Sequence, residues 1–241
     1  MNLIVDIGNS RVKAAVMDLN RVIWSGCVAE LSELDIELLK GRFDLQRSIL
    51  CSTRGDMSEA AAQLRQSVGH CLLFDESTPI PIANSYSTPE TLGRDRLAAA
   101  VGAREISTAE NQLIIDMGTA ITIDLVTGSG GFEGGTISPG VMIRLRALHD
   151  YTAALPLCEP TEQQIDVARS TKEAIAQGVM RGVEYEVRGH IAKMMEKWGE
   201  IDIIFCGGDA KYFDIQIKNT IFAPNELIFV GLNRILEYNA G

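Results

Sequence analysis

The feature that most constrains this chain is an internal repeat. Residues 3–18 read LIVDIGNSRVKAAVMD and residues 113–128 read LIIDMGTAITIDLVTG, an offset of 110. In this register Leu3, Ile4, Asp6 and Gly8 meet Leu113, Ile114, Asp116 and Gly118. Each copy is an apolar strand, then Asp-x-Gly, then a small polar residue, then a second β-rich run. In the first copy, Asp-x-Gly-Asn reads as a hairpin turn in which Gly and Asn tolerate positive φ. One such turn after an apolar run is commonplace. Two with the same apolar flanks imply a duplicated domain, expected as 1–110 and 111–241, with a cleft between the halves.

The rest of the chain alternates strand and helix signals, which indicates an α/β fold. Ile49–Cys51 reads as a strand, Ser58–Val68 as a helix, and Leu92–Ile106 as an Ala-rich helix. Ser170–Trp198 is the longest helical pattern and opens with a capping-box sequence, Ser170-Thr171-Lys172-Glu173. Along it Ile175, Val179, Val183, Val187 and Ile191 recur on one face. Gly178 and Gly182 lie in the same stretch and would admit a close neighbouring backbone. A small chain would struggle to cover both this stripe and the Ala-rich helix, so the stripe is expected to mark an interface. Ile201–Cys206 reads as a strand ending in Gly207-Gly208, Leu227–Val230 as the last strand, and Gly231 as the opening of a final helix.

Composition excludes several classes. The net charge is −10, and binding to nucleic acid phosphates needs clustered Lys and Arg, so no nucleic-acid partner is expected. A small phosphate-bearing ligand stays open, because backbone N–H groups and Mg²⁺ can hold it. The five cysteines share no C-x-x-C spacing and read as reduced core residues. The three histidines are equally scattered. The N-terminus lacks the pattern of a signal peptide, and no apolar run approaches the roughly 20 residues of a membrane span. No membrane association and a cytoplasmic location are therefore expected.

Four segments carry chemistry. In Asp6-Ile7-Gly8-Asn9-Ser10-Arg11-Val12-Lys13, a glycine at the turn lets backbone N–H groups approach phosphate oxygens. Asn9 and Ser10 add donors, Lys13 adds a point charge, and Asp6 at the strand end can hold Mg²⁺ directly or through water. In Asp116-Met117-Gly118-Thr119 the same turn lacks a lysine, and Thr119 can donate to a phosphate. Two carboxylates flanking a phosphate site suit cation-dependent phosphoryl transfer. Cys206-Gly207-Gly208-Asp209-Ala210 allows close approach of a flat ligand such as adenine or ribose, and Gly134–Gly140 (GGTISPG) is another glycine-rich turn shaping the cleft floor. Gly93-Arg94-Asp95-Arg96 opens the Ala-rich helix; its acid, flanked by two arginines, could accept a proton from a substrate hydroxyl while an Arg holds a substrate carboxylate. Taken alone, that segment reads first as a salt bridge at a helix start.

Together these segments resemble the type III pantothenate kinases, within the actin-like ATPase superfamily that also holds sugar kinases and acetate kinase. The likeness runs through DIGNSRVK at 6–13, YSTPETLGRDR at 86–96, DMGTAITID at 116–124, GGTISPG at 134–140, STKEAIAQG at 170–178 and CGGDA at 206–210. It implies a duplicated actin-like, ribonuclease H-like fold and ATP-dependent phosphorylation of pantothenate to 4′-phosphopantothenate, the first step towards coenzyme A. By the same resemblance, residues 6–13 bind ATP with Asp6 near Mg²⁺, and Thr119 touches ATP. Asp95 is the base. Tyr86, Gly93, Arg94 and Arg96 hold pantothenate. Asp116 binds a monovalent cation, K⁺ or NH₄⁺, and Thr171 reaches pantothenate from the neighbouring subunit of a homodimer. Ser10 stands where Thr is frequent, and Cys206 where Thr is usual. A sugar kinase of the same superfamily and a non-catalytic ATP-binding regulator are the competing readings.

Overall fold

The computed structural model describes residues 1–55, 57–128, 131–213, 220–223 and 226–240. The chain forms two compact units. Met1–Thr108, Ser129–Glu133 and Glu226–Gly241 make the first, and Ala109–Gly128 with Gly134–Asn225 the second.

The first unit is built on a sheet in the order β3-β2-β1-β4-β5, from β1 (Asn2–Ile7), β2 (Val12–Asp18), β3 (Arg21–Val28), β4 (Arg47–Ser52) and β5 (Cys71–Leu73). β1 pairs antiparallel with β2 and parallel with β4, and β4 pairs parallel with β5. β1 is central and buried on both faces, which is why Leu3, Ile4 and Val5 run apolar without alternation. β3 alternates exposed and half-buried residues, as an edge strand should. Helices α1 (Ile36–Arg42), α2 (Ser58–Val68) and α3 (Arg94–Ile106) complete this part of the chain. A two-residue strand, β6 (Ala83–Asn84), pairs with Gly131 and Phe132.

The second unit repeats the plan. Its sheet runs β11-β10-β7-β8-β9, with the short β6 added beyond β9, from β7 (Gln112–Met117), β8 (Ala120–Val126), β9 (Gly131–Pro139), β10 (Asp202–Cys206) and β11 (Thr220–Phe222). The β7–β8 hairpin is antiparallel, and β10 is parallel to both β7 and β11. Apart from β6, this is position by position the order of the first sheet, so the sequence repeat is a repeat of topology. Helices α4 (Val141–Asp150) and α5 (Thr171–Trp198) belong to this unit. The capping box at Ser170 and Glu173 is formed on both sides, and it opens α5 one residue after Ser170.

Two expectations are corrected. Leu227–Val230 is not a strand: it is the first part of helix α6 (Glu226–Tyr238), which packs in the first unit. There Gly102 and Gly231 mark the crossing of α3 with α6. A Cβ on Gly102 would strike the Leu227 carbonyl, and one on Gly231 the Ala98 carbonyl. Asn233, buried in α6, accepts from the Asn2 amide at 2.8 Å and donates to the Leu19 carbonyl at 2.9 Å, fixing the helix to the hairpin end of the sheet. Second, the α5 stripe is covered mainly by its own unit. Ile175, Val179, Val183, Val187 and Ile191 are buried in the core of their own unit, against Leu113, Ile115 and Phe205 of the sheet. Gly178 and Gly182 leave their part of the α5 surface open, since a Cβ on either meets nothing within 4 Å. Among the described residues, no helix is long and apolar enough to cross a membrane.

Candidate active site

In the first unit, β1 delivers Asp6 to the carboxyl end of the sheet, where it is buried at 5% exposure. Its cross-strand partner on β2 is Lys13, and its partner on β4 is Cys51. The turn between β1 and β2 differs from expectation in its donors. Neither Gly8 nor Asn9 has positive φ. The Gly8 N–H donates to the Arg11 carbonyl at 3.0 Å, so it closes the turn and is not free for a ligand. Asn9, Ser10 and Arg11 are exposed at the tip.

Helix α3 brings Asp95 to the same region. Its first turn is capped by glycine: Gly93 holds the N-cap with no side-chain bond, and a Cβ there would meet Asp95 Oδ1. That oxygen accepts from the Arg96 N–H at 2.9 Å, so the carboxylate folds back over the helix start, where the macrodipole favours negative charge. The buried Cys51 thiol registers both carboxylates. Its pKa is pushed well above the usual thiol range, first by burial, then by Asp6 and Asp95, with Arg94 acting the other way. The structure thus brings Asp6, Asp95 and Arg94 within electrostatic reach of one side chain.

The two arginines beside Asp95 do different things. Arg94 donates to the Pro89 carbonyl at 2.8 Å. Arg96 is buried, with its guanidinium 5.6 Å from the Tyr86 ring centre and 5.5 Å from that of Phe132. Those rings lie 6.0 Å apart, tilted by 53°. Stacking over two rings holds a planar guanidinium in one orientation. A cavity of about 690 Å³ opens beside this helix start, bounded by Ser52, Thr53, Asp75, Gly93 and Arg94. Neither Asp95 nor the 6–13 turn lines it.

In the second unit, Asp116 is the next-to-last residue of β7, facing Thr122 on β8 and Cys206 on β10. Ile7 pairs with Val12 but Met117 with Ile121, so the second turn is shorter by one residue and the counterpart of Lys13 is Thr122. Two glycines of the glycine-rich segments pack onto this turn, while Gly208 is open, with nothing within 4 Å of a Cβ there. Gly207, at φ 87°, could carry no Cβ without striking Asp116 Oδ1 and the Met117 carbonyl. Gly140, at the N-cap of α4, could carry none without striking the Gly118 and Thr119 carbonyls. They are small because their own chain passes close. The Asp209 N–H donates to the Met117 carbonyl at 2.9 Å, and burial raises the Asp209 carboxyl pKa, with Lys211 opposing. Ser138 of GGTISPG donates to Glu186 of α5 at 2.5 Å, and Arg144 of α4 donates to the other Glu186 oxygen at 2.6 Å. Burial would raise the Glu186 pKa, but these two donors outweigh it and the carboxyl sits below its usual range.

Thr171 is exposed at the start of α5, on the wall of an apolar groove of about 830 Å³ between α4 and α5. Leu148, Tyr151, Leu155, Ile175 and Val179 line it, and Tyr151 is 88% exposed.

The sequence profile described as type III pantothenate kinase matches residues 2–193. A type III pantothenate kinase from Bacteroides fragilis (strain NCTC 9343) is 41% identical over 242 residues, covering 100% of this chain and 99% of that protein. The chain belongs to the type III pantothenate kinase family. Two solved structures share the fold: a Campylobacter jejuni protein named for the Baf family of transcriptional activators (TM-score 0.63, 22% identity, 98% of each chain) and a Sinorhizobium meliloti protein named as a 2-dehydro-3-deoxygalactonokinase (TM-score 0.60, 14% identity, 99% of each chain). The architecture is accordingly that of the actin-like ATPases and sugar kinases.

For a pantothenate kinase, sequence reasoning missed Cys51 and Phe132. Cys51 was legible only as a strand residue, and its place beside Asp6 comes from β4 pairing with β1. Phe132 lies far from Tyr86 in sequence and meets it through the short β6 pairing.

Proposed function

We propose that this chain transfers the γ-phosphoryl group of ATP to the hydroxyl of pantothenate, and that Asp95 is the base. The observation that carries this reading is Asp95 in the first turn of α3, beside the buried Arg96 held over the Tyr86 and Phe132 rings. Asp95 accepts the hydroxyl proton as the oxygen bonds to the γ-phosphorus. The bond from that phosphorus to the β,γ-bridging oxygen breaks, and ADP leaves with the electron pair. Arg96, held over its two rings, is positioned to receive the substrate carboxylate, with Tyr86, Gly93 and Arg94 around it. The Asn9, Ser10 and Lys13 groups hold the phosphates, with Thr119 as a further ATP contact.

Mg²⁺ suits this donor set. It binds through one or two carboxylates plus substrate phosphates, so buried Asp6 is sufficient protein ligation, and no cluster of three or more His, Cys, Asp or Glu is present among the described residues. When bound, Mg²⁺ neutralises charge on the β- and γ-phosphate oxygens. Asp116, with the Met117 carbonyl nearby, offers the hard oxygens that K⁺ or NH₄⁺ requires. Activity should therefore depend on K⁺ or NH₄⁺, with Na⁺ a poor substitute. Equal rates in Na⁺-only buffer would remove Asp116 from this role.

We further propose a homodimer in which Thr171 of one protomer meets pantothenate at the Asp95 of the other. The apolar α4–α5 groove beside Thr171 supports it, because Tyr151 on its wall is 88% exposed and is free to seat against a second copy. Mixing inactive Asp95→Asn protein with inactive Thr171→Arg protein under subunit exchange should restore about a quarter of wild-type activity, because half the dimers then carry one intact composite site. No recovery despite demonstrated exchange places the site within one protomer. The reaction itself is tested by ADP release: pantothenate should stimulate it, a hexose should not, and a rate unaffected by either supports a regulator.

A further inference from the structure

The β4–α2 loop holds the phosphate turn from behind. Thr53 donates its N–H to the Ile7 carbonyl at 3.0 Å and its hydroxyl to the same oxygen at 3.3 Å. Arg54 Nε donates to the Gly8 carbonyl at 2.8 Å. The same guanidinium donates through Nη1 to both carboxylate oxygens of Glu30, at 3.3 and 3.2 Å. The Arg54 side chain is 28% exposed and that of Glu30 is 64% exposed. The loop is itself pinned, because the Arg54 N–H donates to the Ser52 hydroxyl at 2.9 Å.

We infer that Arg54 is a positioning residue for nucleotide binding, one that sets the direction of the Asn9 amide. This rests on the reading of residues 6–13 as the ATP phosphate site. A trans peptide is planar, so the Gly8 C=O and the Asn9 N–H point in opposite directions. Fixing the carbonyl on Arg54 therefore aims the Asn9 N–H away from the loop. With the Gly8 N–H spent on Arg11, the Asn9 amide is the first donor of the turn left for a phosphate, and its orientation matters most. A turn with no such hold could flip this peptide and present a carbonyl oxygen to the phosphates. Arginine suits the role because its rigid planar fork fixes the angle between the carbonyl and carboxylate bonds, which a rotatable ammonium does not. Glu30 fixes the far side of the fork and moderates its charge.

The test is steady-state kinetics of the full-length enzyme with ATP varied at saturating pantothenate, and the reverse. Arg54→Ala should raise the KM for ATP about tenfold, the factor that about 1.4 kcal/mol represents, while the KM for pantothenate stays within about twofold. Arg54→Lys should recover part of the loss, since an ammonium still reaches the carbonyl. Glu30→Gln, a conservative change at an exposed position, should shift the KM for ATP in the same direction by about two- to threefold and serves if Arg54→Ala fails to fold. An unchanged KM for ATP in either folded variant overturns the assignment, as does an equal rise in both KM values, which reports general loosening. A wild-type enzyme with no ATP-dependent turnover overturns the phosphate-site reading along with it.

Discussion

Asp95→Asn should lower turnover by about 10²–10⁴-fold while leaving pantothenate binding nearly intact, because general-base catalysis is worth about that factor. The substitution is clean here for a structural reason. Asp95 Oδ1 accepts from the Arg96 N–H, and an asparagine oxygen can accept the same bond. The helix start is thus preserved, and only the capacity to take a proton is lost. Turnover and pantothenate affinity measured on the folded variant decide it; wild-type turnover would remove Asp95 from the chemistry.

The largest stability effect should come from the α3–α6 crossing. Gly231→Ala drives a methyl onto the Ala98 carbonyl, and a helix backbone cannot step aside as a flexible side chain can. Overpacking of this kind costs about 1–3 kcal/mol, and the site lies at its upper end because the obstacle is main chain. In a chain of this length, that is a fall in Tm of about 5–10 °C. Activity should fall with it, since α3 carries Asp95 in its first turn. Gly189→Ala in α5 is the matched control: a Cβ there meets nothing within 4 Å, and replacing a mid-helix glycine should stabilise by about 0.5–1 kcal/mol. Equal thermal midpoints for the two variants would contradict the tight crossing.

Local patterns carried most of the fold. The capping box at Ser170, the α5 stripe and the α2 boundaries are set by neighbours within one or two helical turns, so they are legible in one dimension. The duplicated hairpins were legible because each copy places Asp-x-Gly after an apolar strand. Leu227–Val230 was misread because a short apolar run has no period of its own; its helical state comes with the crossing on α3, at Gly231. The α5 stripe was seen but its partner was not, since periodicity reports a buried face and never what covers it. The site divides in the same way. The proposed Asp6 and Asp95 of the first unit and Asp116 of the second announce themselves through turn and helix-start motifs. Arg54 and Phe132 do not, because each reaches the site through strand or loop packing between distant residues.

The central claim is that the group phosphorylated is the hydroxyl of pantothenate. The most direct measurement is mass spectrometry of the products after incubating the protein with ATP, Mg²⁺, K⁺ and an equimolar mixture of pantothenate and glucose. The account predicts 4′-phosphopantothenate in amounts matching the ADP formed, with glucose unmodified. ADP accompanied by glucose phosphate, or by free inorganic phosphate with pantothenate untouched, would contradict it.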